Sequence, residues 1–313
     1  MSPYLKIIRL PNLLIIILTQ VLLRICIIGN FYSLSDVEMA LSNGNFVLLV
    51  IATVLIAAGG YVINDYFDEE VDKINKPNKL ICGNLIKRPA VMMYYWTLTL
   101  PGVLFGMYLA LMVNYFILGF IFVAIAIMLY LYSQRYKQRV LIGNLLISIL
   151  SAMVVLIVWI FEFYSLQDNL MHYVEVMKYL KFIGNIVLGY TLFAFLVSFI
   201  REILKDIEDI KGDQAAEYRT LPIAKGIVFS KKLAMSLLIF VIIVLGVTQY
   251  LLWTEQFHLV FWYFLVALQP LLLYVFFQTK KAKVSEDFQF LSNAMKVIMV
   301  AGILSMQLFY VSF

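Results

Sequence analysis

The sequence predicts an all-α, polytopic membrane protein with nine transmembrane helices around a central cavity, and three observations carry that expectation. Of the 313 residues, 63% are hydrophobic and only 14% charged, against roughly 45–50% apolar and about 25% charged in a soluble domain. Mean hydropathy is +0.92. Apolar runs near 20 residues recur from end to end, the length that crosses a hydrocarbon core of roughly 30 Å. A barrel strand would instead show about 10 residues of alternating pattern. No window is left for a water-soluble core, so residues 1–313 read as one integral-membrane domain.

The spans fall near residues 10–32, 46–66, 90–111, 114–133, 141–163, 179–200, 232–252, 257–277 and 291–312. The first follows Lys6 and Arg9 as a signal peptide would, but its apolar run is long and no small-x-small cleavage site follows, so it reads as a retained helix. Cys26 and Cys82 are the only cysteines and show no CxxC or Cys/His spacing, which leaves a disulfide framework or a thiolate metal site without support.

Charge placement tests the count. The net charge of +5 would suggest nucleic acid in a soluble protein, yet the Lys and Arg lie in short segments between apolar runs. Nine alternating crossings put Lys6, Arg9, Lys73, Lys76, Lys79, Lys87, Arg88, Arg135, Lys137, Arg139, Arg201, Lys205, Lys211, Arg219, Lys225, Lys231, Lys232, Lys280, Lys281 and Lys283 on one side. That is 20 of the 24 cations, so by the positive-inside rule this side and the N-terminus are expected to be cytoplasmic and Phe313 to lie across the membrane. The membrane itself is expected to be the cell membrane.

Eleven of the 19 acidic residues fall in two windows of that same side: Asp65, Asp68, Glu69, Glu70 and Asp72 after the second span, and Glu202, Asp206, Glu208, Asp209, Asp213 and Glu217 after the sixth. Asp65, Asp68 and Asp72 are spaced i, i+3, i+7, and Asp206, Asp209 and Asp213 repeat the spacing, which puts three carboxylates on one face of each helix end. Such clusters repel internally and oppose the helix dipole unless a cation offsets them. Hard oxygen donors without His or Cys favour Mg²⁺ or Ca²⁺, and Mg²⁺ on one or two carboxylates usually completes its shell with water and phosphate. A phosphorylated substrate follows. A single acidic run is most simply a solvated face paired with its neighbours; the duplicated spacing on one membrane side speaks against that here.

Asn64-Asp65-Tyr66-Phe67-Asp68-Glu69-Glu70-Val71-Asp72, continuing through Asn75 and Pro77, resembles the NDxxDxxxD signature of the UbiA-type intramembrane prenyltransferases, and Asp209-x-x-x-Asp213 resembles their second DxxxD motif. The segments Arg201 to Asp213, Arg219-Thr220-Leu221-Pro222-Ile223 and Tyr132 to Asn144 are most similar to the digeranylgeranylglyceryl phosphate synthase branch of that family, with Lys79-Leu80 and Glu217-Tyr218 as local departures. The resemblance implies a nine-helix bundle in which Asp65, Asp68, Asp72, Asp206, Asp209 and Asp213 hold Mg²⁺ on an isoprenyl diphosphate. It also implies transfer of the prenyl group to a prenylglyceryl phosphate, forming an ether lipid and releasing diphosphate.

On that reading Asn64 is a neutral ligand or orienting group, and Lys137, Arg139, Arg201, Lys205 and Arg219 are candidates to contact phosphate oxygens, although positive-inside topology alone accounts for each one singly. Lys73, Lys76 and Lys79 add cations for an acceptor phosphate. Tyr61, Tyr66, Tyr130 and Tyr132 are candidates to shield an allylic cation, an attraction worth about 2 kcal/mol when desolvated. His172 and His258 fall on the far side, which argues against a His base. Arg24 and Glu162 lie in apolar spans and need partners. Two alternatives stay open: an aromatic, quinone-pathway prenyltransferase sharing the metal site, and a cation transporter, whose charges would be expected near the midplane on broken helices. No nucleic-acid or protein partner is inferred; the partners are the diphosphate, a lipid-like acceptor and membrane lipids.

Overall fold

The computed structural model describes residues 2–75, 77, 80–168 and 170–312. Among these residues nine helices are long and apolar enough to cross a membrane: α1 (Leu10–Ser33), α2 (Asn43–Phe67), α3 (Arg88–Met112), α4 (Phe116–Gln134), α5 (Ile142–Gln167), α6 (Leu170–Glu208), α7 (Ile227–Thr254), α8 (His258–Lys281) and α9 (Ser285–Val311). Each overlaps one of the nine apolar runs, with ends that differ by at most two residues where a run extends past its helix, and no β-strand occurs among the described residues. The terminal residues Met1 and Phe313 and the cations Lys76 and Lys79 lie outside the described residues.

The largest departure from the sequence expectation is α6, which runs 39 residues, about 58 Å at 1.5 Å per residue. Hydropathy detects only the part that crosses lipid. The remainder carries the exposed Lys178 and Lys181 at one end and the half-buried Lys205 and Asp206 at the other, where the helix simply continues past the lipid.

Neighbouring helices pack in chain order, α2 on α3 and α4, α5 on α6, α6 on α7 and α9, and α9 returns to α1, closing a ring. Close approach of α2 and α3 depends on small residues: a Cβ on Gly59 would lie 2.1 Å from the Thr99 hydroxyl, the small-residue contact by which membrane helices gain van der Waals packing. Three local irregularities interrupt the regular helices. Residues Leu23–Gly29 of α1 are π-helical, as are Phe264–Leu268 of α8, and α9 is interrupted at Ser305.

Arg24 and Glu162 find their partners at the end of the bundle away from the acidic windows. Arg24 donates to Leu41 O at 2.6 Å and Asn43 Oδ1 at 3.1 Å, Glu162 accepts from Ala40 N at 2.7 Å, and the two charges are 3.9 Å apart. Together they pin the α1–α2 connection.

Candidate active site

A cavity of about 250 Å³ opens inside the ring, lined by α1, α2, α4, α5, α6 and α9. Its deep wall is apolar, with Ile56, Phe122, Leu150, Phe193, Met299 and Ile303. Its mouth is polar, with Arg9, Asn64, Tyr61, Tyr132, Arg201, Glu202, Lys205 and Lys296. An apolar sleeve ending in a charged rim suits an amphiphile with an anionic head.

The acidic windows meet at that rim. Both helices are interrupted for one residue at the middle Asp of each triplet: ψ is 1° at Asp68 and 5° at Asp209, against roughly −42° in a regular helix. The expected single face of three carboxylates is thus divided, with Asp72 on the short helix Glu69–Asn75 and Asp213 on the short helix Ile210–Ala215. The register survives, since Asp72 N donates to Asp68 O at 2.8 Å and Asp213 N to Asp209 O at 3.2 Å. The break turns each short helix toward the other. Asn75 joins them: its Nδ2 donates to Asp209 O at 3.0 Å, and its Oδ1 accepts from Gly212 N at 2.8 Å. A Cβ on Gly212 would fall 2.4 Å from the Asn75 amide nitrogen, so glycine is what permits the contact.

Individual carboxylates are held from neighbouring helices. Arg9 Nη2 donates to Asp65 Oδ1 at 2.7 Å while its guanidinium stands 5.0 Å from the Tyr61 ring centre. Asp68 is buried, accepts from Asn64 Nδ2 at 2.6 Å and is ion-paired with Lys137 from the α4–α5 connection. Asp206 accepts from Asn144 Nδ2 of α5 at 2.8 Å.

Burial pushes the Asp213 carboxyl up to about 6; Lys137 and Lys205 pull against the shift, and Asp209 and Asp68 add to it. Burial also opposes the Lys137 charge, but Asp68, Tyr132 and Asp209 together hold that ammonium well above the ordinary lysine value. The same residues acting on both groups identify one electrostatic unit built from both windows. Among the described residues no three His, Cys, Asp or Glu side chains converge as a ready cage. The donor chemistry nonetheless fits Mg²⁺, which needs only one or two carboxylates per ion when phosphate and water fill the octahedron.

The other candidate residues divide by position. Asn64, Tyr61, Tyr132, Arg201 and Lys205 line the cavity, and Arg201 is ion-paired with Glu202. Arg139 and Arg219 are exposed and outside the lining; the Arg219 backbone N–H donates to Gln138 O at 2.9 Å, which fastens the loop after the second window. Tyr130 packs on Phe67 and Tyr95, and Tyr66 lies under Arg88, both away from the cavity. Lys73 is taken up by Glu69 and Glu70 of its own short helix. His172 and His258 stand at the helix ends remote from the acidic windows.

Sequence reasoning missed four contributors: Arg9 as the partner of Asp65, Asn75 as the tie, Asn144 on Asp206, and Lys296 in the cavity wall. Lys296 carried a usable signal, a lone cation inside an apolar span. The other three depend on contacts between helices that spacing does not encode.

The sequence model of the UbiA prenyltransferase family matches residues 23–296. A relative named digeranylgeranylglyceryl phosphate synthase from Methanothermobacter thermautotrophicus is 34% identical over 243 residues, 76% of this chain and 72% of that protein. A solved structure described as giving insight into digeranylgeranylglyceryl phosphate synthase in membranes is 25% identical with a TM-score of 0.63, covering 99% of this chain and 98% of that one. A UbiA homolog from Archaeoglobus fulgidus, bound to DMAPP and Mg²⁺, shares the fold at 15% identity and a TM-score of 0.54, covering 97% of this chain and 99% of that one.

Proposed function

The chain belongs to the UbiA prenyltransferase family, and from that premise we propose that it transfers the prenyl group of a polyprenyl diphosphate such as geranylgeranyl diphosphate to a prenylglyceryl phosphate. The product is an ether lipid. The observation that carries the reading is the meeting of both acidic windows, through Asn75 and around Lys137, at the mouth of an apolar cavity. The relative's name supplies the acceptor class.

Asp65, Asp68 and Asp72 would hold one Mg²⁺ and Asp206, Asp209 and Asp213 another. Bound there, Mg²⁺ supplies Lewis-acid and electrostatic stabilisation of the departing diphosphate. The chain's own residues do the rest. Lys137 adds a fixed positive charge beside Asp68, and Asn64 fixes the orientation of the Asp68 carboxylate. The C1–O bond of the allylic diphosphate breaks with its electron pair going to the leaving group, and the acceptor hydroxyl oxygen forms the new bond to C1. The hydroxyl proton passes to the leaving diphosphate, since no His stands at this end. Tyr61 and Tyr132 present aromatic surface to the cavity where the allylic cation develops, and the apolar sleeve keeps water from it.

We place the single domain of residues 1–313 in the cell membrane with its N-terminus and both acidic windows cytoplasmic, a reading supported by the positive-inside distribution. The acidic groups lie at helix ends and on short helices, so the transporter alternative, which expects midplane charge, loses its support.

Mass spectrometry of the products formed by purified protein from geranylgeranyl diphosphate and a panel of acceptors tests the function. Geranylgeranylglyceryl phosphate is expected to be prenylated in preference to hydroxybenzoate or dihydroxynaphthoate. A preference for an aromatic acid by tenfold or more in kcat/KM, about 1.4 kcal/mol, would remove the ether-lipid assignment and leave prenyl transfer standing.

A further inference from the structure

Lys296 is a cation that neither topology nor the metal chemistry explains. It sits 11 residues into α9, which begins at Ser285, roughly 16 Å along the axis at 1.5 Å per residue. It lines the cavity beside Met299 and Ile303, at the level where the polar mouth gives way to the apolar sleeve. Its charged neighbours are Arg201, Lys205 and Arg9, with Glu202 as the one acid among them.

That acid is already committed. Glu202 is ion-paired with Arg201, and Arg9 is paired with Asp65 on the other side of the mouth. Lys296 makes no hydrogen bond or ion pair among the described residues, and the buried Arg201 Nε has no acceptor. A charge held within a membrane span carries a high desolvation cost and is retained where it meets a partner, a water-filled cavity or a ligand. The contrast with Lys137 is direct: Lys137 faces acidic side chains and has its counter-ion in Asp68, whereas Lys296 faces cations.

We propose that Lys296, with Arg201 and Lys205, seats the phosphate monoester of the acceptor, separately from the seat of the diphosphate at Asp68, Asp209 and Lys137. The inference rests on the prenyl-transfer reading and deepens it by assigning the acceptor head group to named residues. Three cations line one cavity wall, and a phosphate dianion offers an acceptor to Lys296 and to Arg201 Nε. The two anionic heads then bind by different chemistry: the diphosphate needs divalent metal because its seat is acidic, and the acceptor phosphate needs none because its seat is basic. An alcohol acceptor without phosphate would leave Lys296 and Arg201 Nε unsatisfied.

The test is binding of geranylgeranylglyceryl phosphate and of geranylgeranylglycerol to the full-length protein in lipid nanodiscs with excess chelator, followed by steady-state kinetics with Mg²⁺. Wild type is expected to bind the phosphate at least tenfold tighter than the alcohol without metal. Lys296→Met should remove that preference and raise the acceptor KM at least tenfold, with the KM for geranylgeranyl diphosphate within twofold of wild type. Lys296→Arg should retain the preference within threefold. If Lys296→Met does not fold, Lys296→Gln is compared at matched melting temperature.

Acceptor binding that requires Mg²⁺, or a Lys296→Met effect confined to the diphosphate KM, overturns the assignment. So does an unchanged phosphate-to-alcohol ratio. These outcomes differ from failure of the functional reading itself, which would show as no prenylated glycerophosphate product from the wild type.

Discussion

Two clusters of charge are buried in this bundle, one at each end, and they are closed in opposite ways. At the end remote from the acidic windows, Arg24 Nη2 and the Glu162 carboxylate are taken up by the backbone of residues 40–41 and by Asn43, Arg24 Nη1 has the Glu162 carboxylate 3.9 Å away, and Arg24 also lies 4.4 Å from the Phe46 ring centre. That cluster is sealed, with Arg24 3% and Glu162 1% exposed. At the other end, Asp65 is held by Arg9, Asp68 by Asn64 and Lys137, and Asp206 by Asn144, on the rim of an open cavity. Charge that the fold requires is matched within the protein; charge kept for a ligand is matched only in part and faces the space where the ligand goes.

The largest effects should separate the clusters. Asp68→Ala and Asp209→Ala are each expected to lower turnover by about 10³-fold or more while leaving the melting temperature in detergent near that of wild type. Glu162→Ala strands a buried Arg24 charge, so it should lose about 3–5 kcal/mol of stability with substrate KM values unchanged in the fraction that remains folded. Thermal unfolding and initial-rate kinetics on the same preparations read both. A folded, inactive Glu162→Ala, or an Asp68→Ala that fails to fold, would break the distinction.

Smaller effects sharpen it. Lys137→Ala should raise the diphosphate KM with a loss of about a hundredfold in kcat/KM, since it removes a cation that acts on both windows. Asn75→Ala touches no substrate in this account, yet it unties the two short helices. Its expected effect is about tenfold in Mg²⁺ affinity, the usual scale for a residue that orients metal ligands, with kcat at saturating Mg²⁺ close to wild type. Single cysteines at Glu70 and Lys211 should label from one side of the membrane and those at Asp36 and Gln256 from the other; the native Cys26 and Cys82 are buried and should stay silent.

The sequence made the nine spans legible because a hydropathy window and a 30 Å hydrocarbon core have the same scale. It made the acidic triplets legible because their spacing repeats. What it could not express is how each triplet is broken at its middle residue, since Asp68 and Asp209 have ordinary helical neighbours and the interruptions coincide with contacts to Lys137 and Asn75 from other parts of the bundle. For the same reason the loop cations all looked alike in the sequence. Folding separates Lys137, drawn in to Asp68, from Arg139 only two residues away, left exposed. Lys296 was readable in principle, but a count of loop charges passes over a cation inside a span.

The claim that matters most is that the two acidic windows form one metal–diphosphate site, and a double-mutant cycle tests it. Mg²⁺-dependent binding of geranylgeranyl diphosphate would be measured for wild type, Asp68→Asn, Asp209→Asn and the double variant, because residues that act as a unit show strongly non-additive losses. Each single substitution is expected to abolish the gain in affinity that Mg²⁺ confers, and the double variant to bind no more weakly than either single one. Independent losses that add in the double variant, or full Mg²⁺ dependence surviving in either single one, would contradict the account.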